Sequence, residues 1–263
     1  MVKSLKILFI GDIVARPGRR CVQSILPKLK EKKKIDLVIG NVENLSGGKG
    51  ITRETIYEMI EAGVDVFTSG NHVFFGGEYE ELLNDLSLQI IRPINYLGEV
   101  PGRGKIEITK NKSKFVIINL EGTRGMEIPV ENPFITIDKT LRQIENDSIV
   151  LLDFHADSTS EKRAMGFYVD GRIAAYFGTH THVPTADLQV LSRGTFYISD
   201  VGMTGNHNSV LGVKKEIIID RFIKPFPQRF EWQYDGEKVF NSVCVEIKNQ
   251  QVTKYQRCDF VIP

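Results

Sequence analysis

The chain has 263 residues, 41% hydrophobic and 25% charged, enough apolar material for one large core and too little charge for a disordered chain. Its 34 basic and 33 acidic side chains nearly cancel, which argues against long nucleic acid or an anionic membrane as a partner. Three cysteines (Cys21, Cys244 and Cys258) in no CxxC spacing exclude a disulfide framework and a thiolate zinc site, and fit a reducing cytoplasm.

The N-terminal "MVKSLKILFIGD" carries charge and a short apolar run that Asp12 ends, with no small-residue cleavage pattern after it. It reads as a buried strand over residues 6–11 rather than a signal peptide, and no stretch of the chain is long enough to span a bilayer. "GRRCVQSILPKLKEKKK" follows as a helix that Pro27 is expected to disturb or divide. Its lysines at 28–34 suit the negative end of the macrodipole, a solvated helix end rather than a nucleic-acid patch. "DLVIGNV" (36–42) is a second strand. "TRETIYEMIEAG" has a capping-box pattern at Thr52 and Thr55 and a C-cap glycine, Gly63. "VDVFTSG" and residues 115–122, 148–157, 172–180 and 194–203 continue the strand series. From residue 228 onward, alternation with a "DG" turn at Asp235 and Gly236 and a polar "KNQQ" turn reads as antiparallel β. No repeat or linker interrupts the chain, so residues 1–263 read as one layered α/β domain with strands in more than one sheet.

Polar residues stand at the downstream ends of these strands. They are Asp12 in "GD", Glu43 and Asn44 in "NVEN", Asn71 and His72 in "GNH", Asp153, His155 and Asp157 in "DFHAD", and His180 and His182 in "GTHTH". Ligands of open α/β sheets bind beyond the carboxyl ends of the strands. Each motif alone has a plain alternative: a capped turn at Asp12, a left-handed Asn71, or hydrogen-bonded buried histidines. In an extended segment His180 and His182, at i and i+2, would share one face and converge on one point. Four of the five histidines lie in these motifs, with His207 the exception. Oxygen donors (Asp12, Glu43, Asn71) mixed with imidazoles (His155, His180, His182) and no thiolate suit Mn, Fe or Zn. Six ligands are too many for one tetrahedral ion and about right for two ions sharing a carboxylate, a net positive site for an anionic phosphate ester.

The ordered set "GD…GNVEN…GNH…DFHAD…GTHTHV" resembles the calcineurin-like metallophosphoesterases, and within them the YmdB-like bacterial branch with its 2′,3′-cyclic nucleotide phosphodiesterases. The resemblance runs from "LFIGDIVARPGR" to "YISDVGMTG". It implies an αββα sandwich of two mixed β-sheets flanked by helices, with a dinuclear metal centre at the sheet ends. Carried over position by position, it makes Asp12, Glu43, Asn71, His155, His180 and His182 metal ligands, with Glu43 bridging. Asn44 either adds an amide oxygen to one metal or supports the ligands from behind, and His72 is the catalytic histidine. Two departures stand out. Asp157 replaces a usual Glu, and "NHVFF" replaces "NHTW", changing the apolar wall beside His72.

The resemblance thus implies a metal-dependent hydrolase with two divalent or trivalent ions, Fe or Mn with Zn as the alternative. Hydroxide would attack phosphorus in line, with His72 as general acid toward the leaving alkoxide. Asp153, Asp157 and Asp200 are candidates to orient ligand imidazoles. Arg16, Arg19, Lys49 and Arg124 are candidates to meet phosphate, and "SGGKG" is either a phosphate-cradling loop or a turn before the helix at Thr52. The expected partner is a small phosphate ester or cyclic nucleotide, with a homo-oligomer left open. A phosphomonoesterase or nuclease on the same site, and a nucleotide-binding regulatory protein with little turnover, are the rival readings. A dinucleotide-binding oxidoreductase is conceivable from the α/β pattern, but no G-x-G-x-x-G follows the first strand.

Overall fold

The structure, a computed structural model, describes residues 4–263; the start of the N-terminal stretch read against a signal peptide, residues 1–3, lies outside it. The first half unrolls as β1 (Leu5–Ile10), α1 (Ala15–Lys33), β2 (Leu37–Asn41), α2 (Arg53–Ala62), β3 (Val66–Thr68) and α3 (Tyr79–Asn84). A hairpin of β4 (Lys105–Lys110) and β5 (Ser113–Glu121) leads to α4 (Pro133–Leu141), β6 (Ile149–His155), α5 (Thr159–Val169) and β7 (Ala175–Thr179). Short strands β8 (Gln189–Val190), β9 (Phe196–Ile198) and β10 (Gly205–Asn206) precede α6 (Lys215–Ile223). The chain ends in β11 (Lys238–Phe240), β12 (Ser242–Lys248), β13 (Gln251–Arg257) and β14 (Phe260–Ile262).

Two mixed sheets form the sandwich. One has the order β13-β12-β1-β2-β3, the other β4-β5-β6-β7-β9-β8, and β10-β11-β14 make a small third sheet. Strands β1, β2 and β3 run parallel, as do β5, β6, β7 and β9. Strands β2 and β6 are buried along their whole length, as continuous apolar runs in a two-sided layer must be. The layer between the sheets holds Phe9, whose ring stacks on Phe177 at 4.4 Å, with Ile7, Ile39, Ile117 and Val245. Leu8, Val38, Cys21 and Leu26 fill the layer under α1, and Val150, Phe154, Met165 and Val169 the layer under α5. This is the αββα arrangement. Among the described residues no helix is long and apolar enough to cross a membrane.

Local expectations met three corrections. Helix α1 starts at Ala15 and runs through Pro27 undivided. Pro27 lies on the exposed face, so the carbonyl it orphans meets water, while Leu26 and Leu29 pack on either side. Asp235 and Gly236 form no hairpin turn, because β11 pairs with β10 and β14 and the preceding Trp232 bridges to Val213. The strand expected over 194–203 shrinks to β9, since the residues after Ile198 leave the sheet to carry Asp200. The "KNQQ" turn is as expected: Asn249 and Gln250 take φ of 51° and 64°, the two left-handed residues of a type I′ hairpin. Thr52 and Thr55 close the capping box, and Gly63 ends α2 at φ 104°.

Candidate metal centre

Because the parallel strands of each sheet share a direction, their carboxyl ends meet at one rim. Asp12 follows β1, Glu43 and Asn44 follow β2, and Asn71 and His72 follow β3, all in one sheet. His155 ends β6, and His180 and His182 follow β7 in the other sheet. Two groups result whose ligand atoms lie within 4.8 Å of one another: Glu43, His155 and His180, and Asp12, Glu43 and His182. Glu43 belongs to both. Asn71 joins the first group, its Oδ1 3.1 Å from His155 Nε2. Gly70 makes this approach possible. A Cβ there would lie 2.3 Å from His155 Nε2 and 2.5 Å from Glu43 Oε2.

The histidine pair departs from the strand expectation. His180 and His182 lie past the end of β7 with φ of 98° and 65°, so they do not share a strand face. They diverge, one to each ligand group. Backbone in this region costs about 1–3 kcal/mol per residue and persists only where its surroundings hold it. Asp12 Oδ2 accepts from His180 N at 3.2 Å, and Asp200 Oδ2 accepts from Thr181 N at 3.0 Å and Thr181 Oγ1 at 2.8 Å.

The donor set fits cations. Asp12 Oδ1 and His182 Nδ1 are buried without a hydrogen-bond partner. Asp12 Oδ1 stands 3.9 Å from His182 Nε2, too far for a hydrogen bond and within the span of two metal–ligand bonds of about 2.0–2.2 Å. Burial pushes the His155 and His180 imidazoles down from their ordinary values and His182 down to about 4, so all three are neutral at neutral pH, the form that can bind a cation. Burial, reinforced by Asp200, Glu43 and Asp153, pushes the Asp12 carboxyl well up. Burial would raise Glu43 too, but His155 and His72 outweigh it and hold Glu43 well below the usual carboxylate range. Four buried carboxyls crowd here against one buried ammonium, that of Lys162. Bound cations are the natural counter-charge.

His72 is tethered at one nitrogen. Its Nδ1 donates to Asn44 Oδ1 at 2.7 Å and lies 3.1 Å from Glu43 Oε1, while its backbone N–H donates to Glu43 Oε2 at 2.9 Å. Nε2 is the nitrogen left for a substrate. Asn44 gives its Nδ2 to Glu43 Oε1 at 2.9 Å and turns it toward His182, so a metal contact through its oxygen would require half a turn of the amide. Phe75, from the "NHVFF" departure, sets its ring edge against His72 at 5.6 Å, and Lys49 Nζ sits 4.9 Å from the Phe75 ring.

Supporting residues partly match expectation. Asp153 reaches His155 through Thr179, whose Oγ1 donates to Asp153 Oδ1 at 2.7 Å and meets His155 Nδ1 at 2.9 Å. Asp157 Oδ1 lies 4.0 Å from His180 Nε2. Lys162 escaped the sequence reading. Its Nζ donates to Asp200 Oδ2 and Thr179 O, both at 2.7 Å, directly beneath the histidine turn. A signal was available: Lys162, Met165 and Val169 occupy one stripe of α5, and a lysine in an apolar stripe needs a buried partner.

Of the four basic candidates only Lys49 lines the cavity above the centre. Arg19 pairs with Glu58, and Arg124 lines a different cavity beside Asn132. Within the "SGGKG" loop Ser46 N bonds Gly50 O, Lys49 N bonds Ser46 O, and Gly50 N bonds Glu43 O, so the loop folds back on itself as a turn. His207 is exposed, with its N–H bonded to Glu237 O.

A family model described as YmdB-like protein matches residues 8–258. The chain is 40% identical over 247 residues to a Bacillus subtilis 2′,3′-cyclic-nucleotide 2′-phosphodiesterase, covering 94% of this chain and 92% of that one. A Thermus thermophilus protein of solved structure superposes with a TM-score of 0.93 at 36% identity, covering 98% of this chain and 100% of that one. A novel phosphatase from Mycoplasma pneumoniae gives 0.94 at 34% identity, over 99% and 95%. A Staphylococcus aureus 5′-nucleotidase, 12% identical with a TM-score of 0.63, shares the fold alone. Sheet topology, the two ligand groups sharing Glu43 and the near full-length match converge on one assignment: the chain belongs to the YmdB-like family.

Proposed function

We propose that the protein is a metal-dependent phosphodiesterase acting on 2′,3′-cyclic nucleotides, with residues 1–263 as one cytoplasmic phosphoesterase domain. The observation that carries this reading is the pair of ligand groups sharing buried Glu43, with His72 tethered beside them. Asp12, Glu43 and His182 would hold one ion, and Glu43, Asn71, His155 and His180 the other. Asn44 takes the supporting role: its Oδ1 holds His72 Nδ1 and its Nδ2 holds Glu43. The mixed oxygen and imidazole set suits Fe or Mn, with Zn as the alternative. When bound, the ions supply Lewis acidity toward the phosphoryl oxygens and a water of near-neutral pKa.

The remaining steps belong to the chain. Lys49, at the cavity wall beside Phe75, attracts the cyclic phosphate. Water attacks phosphorus and loses a proton, a new P–O bond forms as the P–O2′ bond breaks, and the departing 2′ oxygen needs a proton. Doubly protonated His72 delivers it from Nε2 and is left neutral, its Nδ1–H still donated to Asn44 Oδ1, which keeps the ring from swinging away. The product is a 3′-nucleotide. The test is elemental analysis of the purified protein with assays against 2′,3′- and 3′,5′-cyclic nucleotides, mononucleotides and single-stranded oligonucleotides. About two metal ions per chain and a preference for the 2′,3′-cyclic substrate are expected. A protein that cleaves only monoesters, or binds a cyclic nucleotide without turnover, overturns the reading.

A further inference from the structure

The cavity above the metal centre has two ends of opposite character. Its volume is about 510 Å³, within the range of about 300–1,000 Å³ typical of small-molecule sites. Glu43, His72, His180 and His182 line one end. Leu211, Val213, Ile218, Phe222, Phe230 and Trp232 line the other, with Arg221 among them. Arg221 already lies over the Phe230 ring at 4.9 Å, presenting a flat cation and ring together.

Trp232 is the one tryptophan of the chain, and its indole is fixed from two sides. A Cβ on Gly48 would lie 2.0 Å from Trp232 Cζ2, and one on Gly212 3.1 Å from Cζ3. Gly48 therefore explains the glycine-rich loop that follows Glu43: a side chain at 48 would displace the indole. An ordered aromatic wall in a mostly apolar cavity fits an apolar, flat occupant.

We propose that this wall is the nucleobase subsite of the enzyme, with Trp232 as its stacking residue and Phe222 and Phe230 beside it. The inference rests on the phosphodiesterase reading and deepens it. A 2′,3′-cyclic nucleotide carries its anionic phosphate at one end and an aromatic heterocycle at the other, matching the two ends of the cavity. Stacking accepts every base, and the wall offers few hydrogen-bonding groups to tell bases apart. Purines and pyrimidines should both be taken, with purines preferred for their larger faces.

The experiment uses the metal-loaded full chain and two probe pairs that differ only in the base. Trp232 fluorescence is titrated with 3′-AMP and with ribose 3-phosphate. Hydrolysis is compared for 2′,3′-cyclic AMP and for ribose 2′,3′-cyclic phosphate. Saturable quenching by 3′-AMP at concentrations where ribose 3-phosphate gives none is expected, as is a kcat/KM favouring the nucleotide by about 5–150-fold. In Trp232→Ala that ratio should fall toward unity. Phe222→Ala, whose ring is 88% exposed and supports no packing, should weaken the quenching by 3′-AMP even where Trp232→Ala fails to fold. Equal rates on both cyclic phosphates with no base-dependent quenching would overturn the subsite while leaving the phosphodiesterase intact. Base-dependent quenching without hydrolysis of either phosphate would uphold the subsite and overturn the activity.

Discussion

Lys162→Met removes the one buried ammonium beneath the histidine turn. The side chain is 1% exposed, and its Nζ holds Asp200 Oδ2 and Thr179 O at 2.7 Å each. Methionine nearly matches the volume, so little cavity forms. The loss is electrostatic: Asp200 keeps its bonds from Thr181 and Gly202 but faces Asp12 and Asp153 without a cation. Breaking a buried pair by deleting one partner costs about 3–5 kcal/mol. At about 2–4 °C per kcal/mol for a chain of this size, the melting temperature should drop by about 10 °C. The assay is urea and thermal denaturation of wild type, Lys162→Met, Asp200→Asn and the double variant, all metal-free. The double variant should recover a large part of the loss, because removing both charges is far cheaper than removing one. A Lys162→Met protein within 1 kcal/mol of wild type, or a double variant equal to the sum of the singles, would refute the argument (the threshold is about the scatter of ordinary surface changes).

His72→Ala should retain its metals by elemental analysis and lose about 10²–10⁴-fold in kcat on 2′,3′-cyclic AMP; an unchanged rate removes His72 from proton delivery. Gly70→Ala should weaken metal binding about 10–100-fold in equilibrium dialysis, because the new Cβ presses on both His155 and Glu43. Burial pushes Asp153 up to about 7 and Glu121 up to about 8, so between pH 6.5 and 8 the folded metal-free protein holds protons the unfolded chain has released. These two carboxyls should therefore lower its stability by about 2 kcal/mol as pH rises through that window, and a urea midpoint that stays flat or rises would contradict the burial argument. The three lowered imidazoles oppose this: about half protonated in the unfolded chain at pH 6.5, they return about 1 kcal/mol across the window and leave a net fall of about 1 kcal/mol.

The strands that build the rim were legible because both sheets are buried on two faces and leave continuous apolar runs such as "KILFIG" and "SIVLLDFH". Strand β4 escaped because "KIEITK" is half exposed on the sheet edge and reads as any alternating surface segment. The segment between Gly205 and Trp232 was opaque for a different reason. Its β10 is two residues long, and α6 buries none of its side chains, so neither leaves a period to read. The aromatic wall lies in that segment. Spacing alone did bring six separated polar residues to one rim. It could not show that His180 and His182 part company, because that depends on two left-handed residues that local pattern does not reveal.

The origin of the ligands on two different sheets bears on when a metal can enter. During synthesis, the stretch that carries Asp12, Glu43 and Asn71 leaves the ribosome long before His182 does. That early portion has carboxylates and an amide but none of the three imidazoles. A transition metal meeting the nascent chain finds only a weak, hydrated oxygen site, and mis-metallation by a hard ion there is readily reversed. Only docking of the second sheet brings the imidazoles of His155, His180 and His182 to the same point, and under the proposed assignment any preference for a softer metal would arise at that moment. Metal choice is in this sense deferred to the end of folding, and binding energy falls on the finished sandwich and not on its fragments.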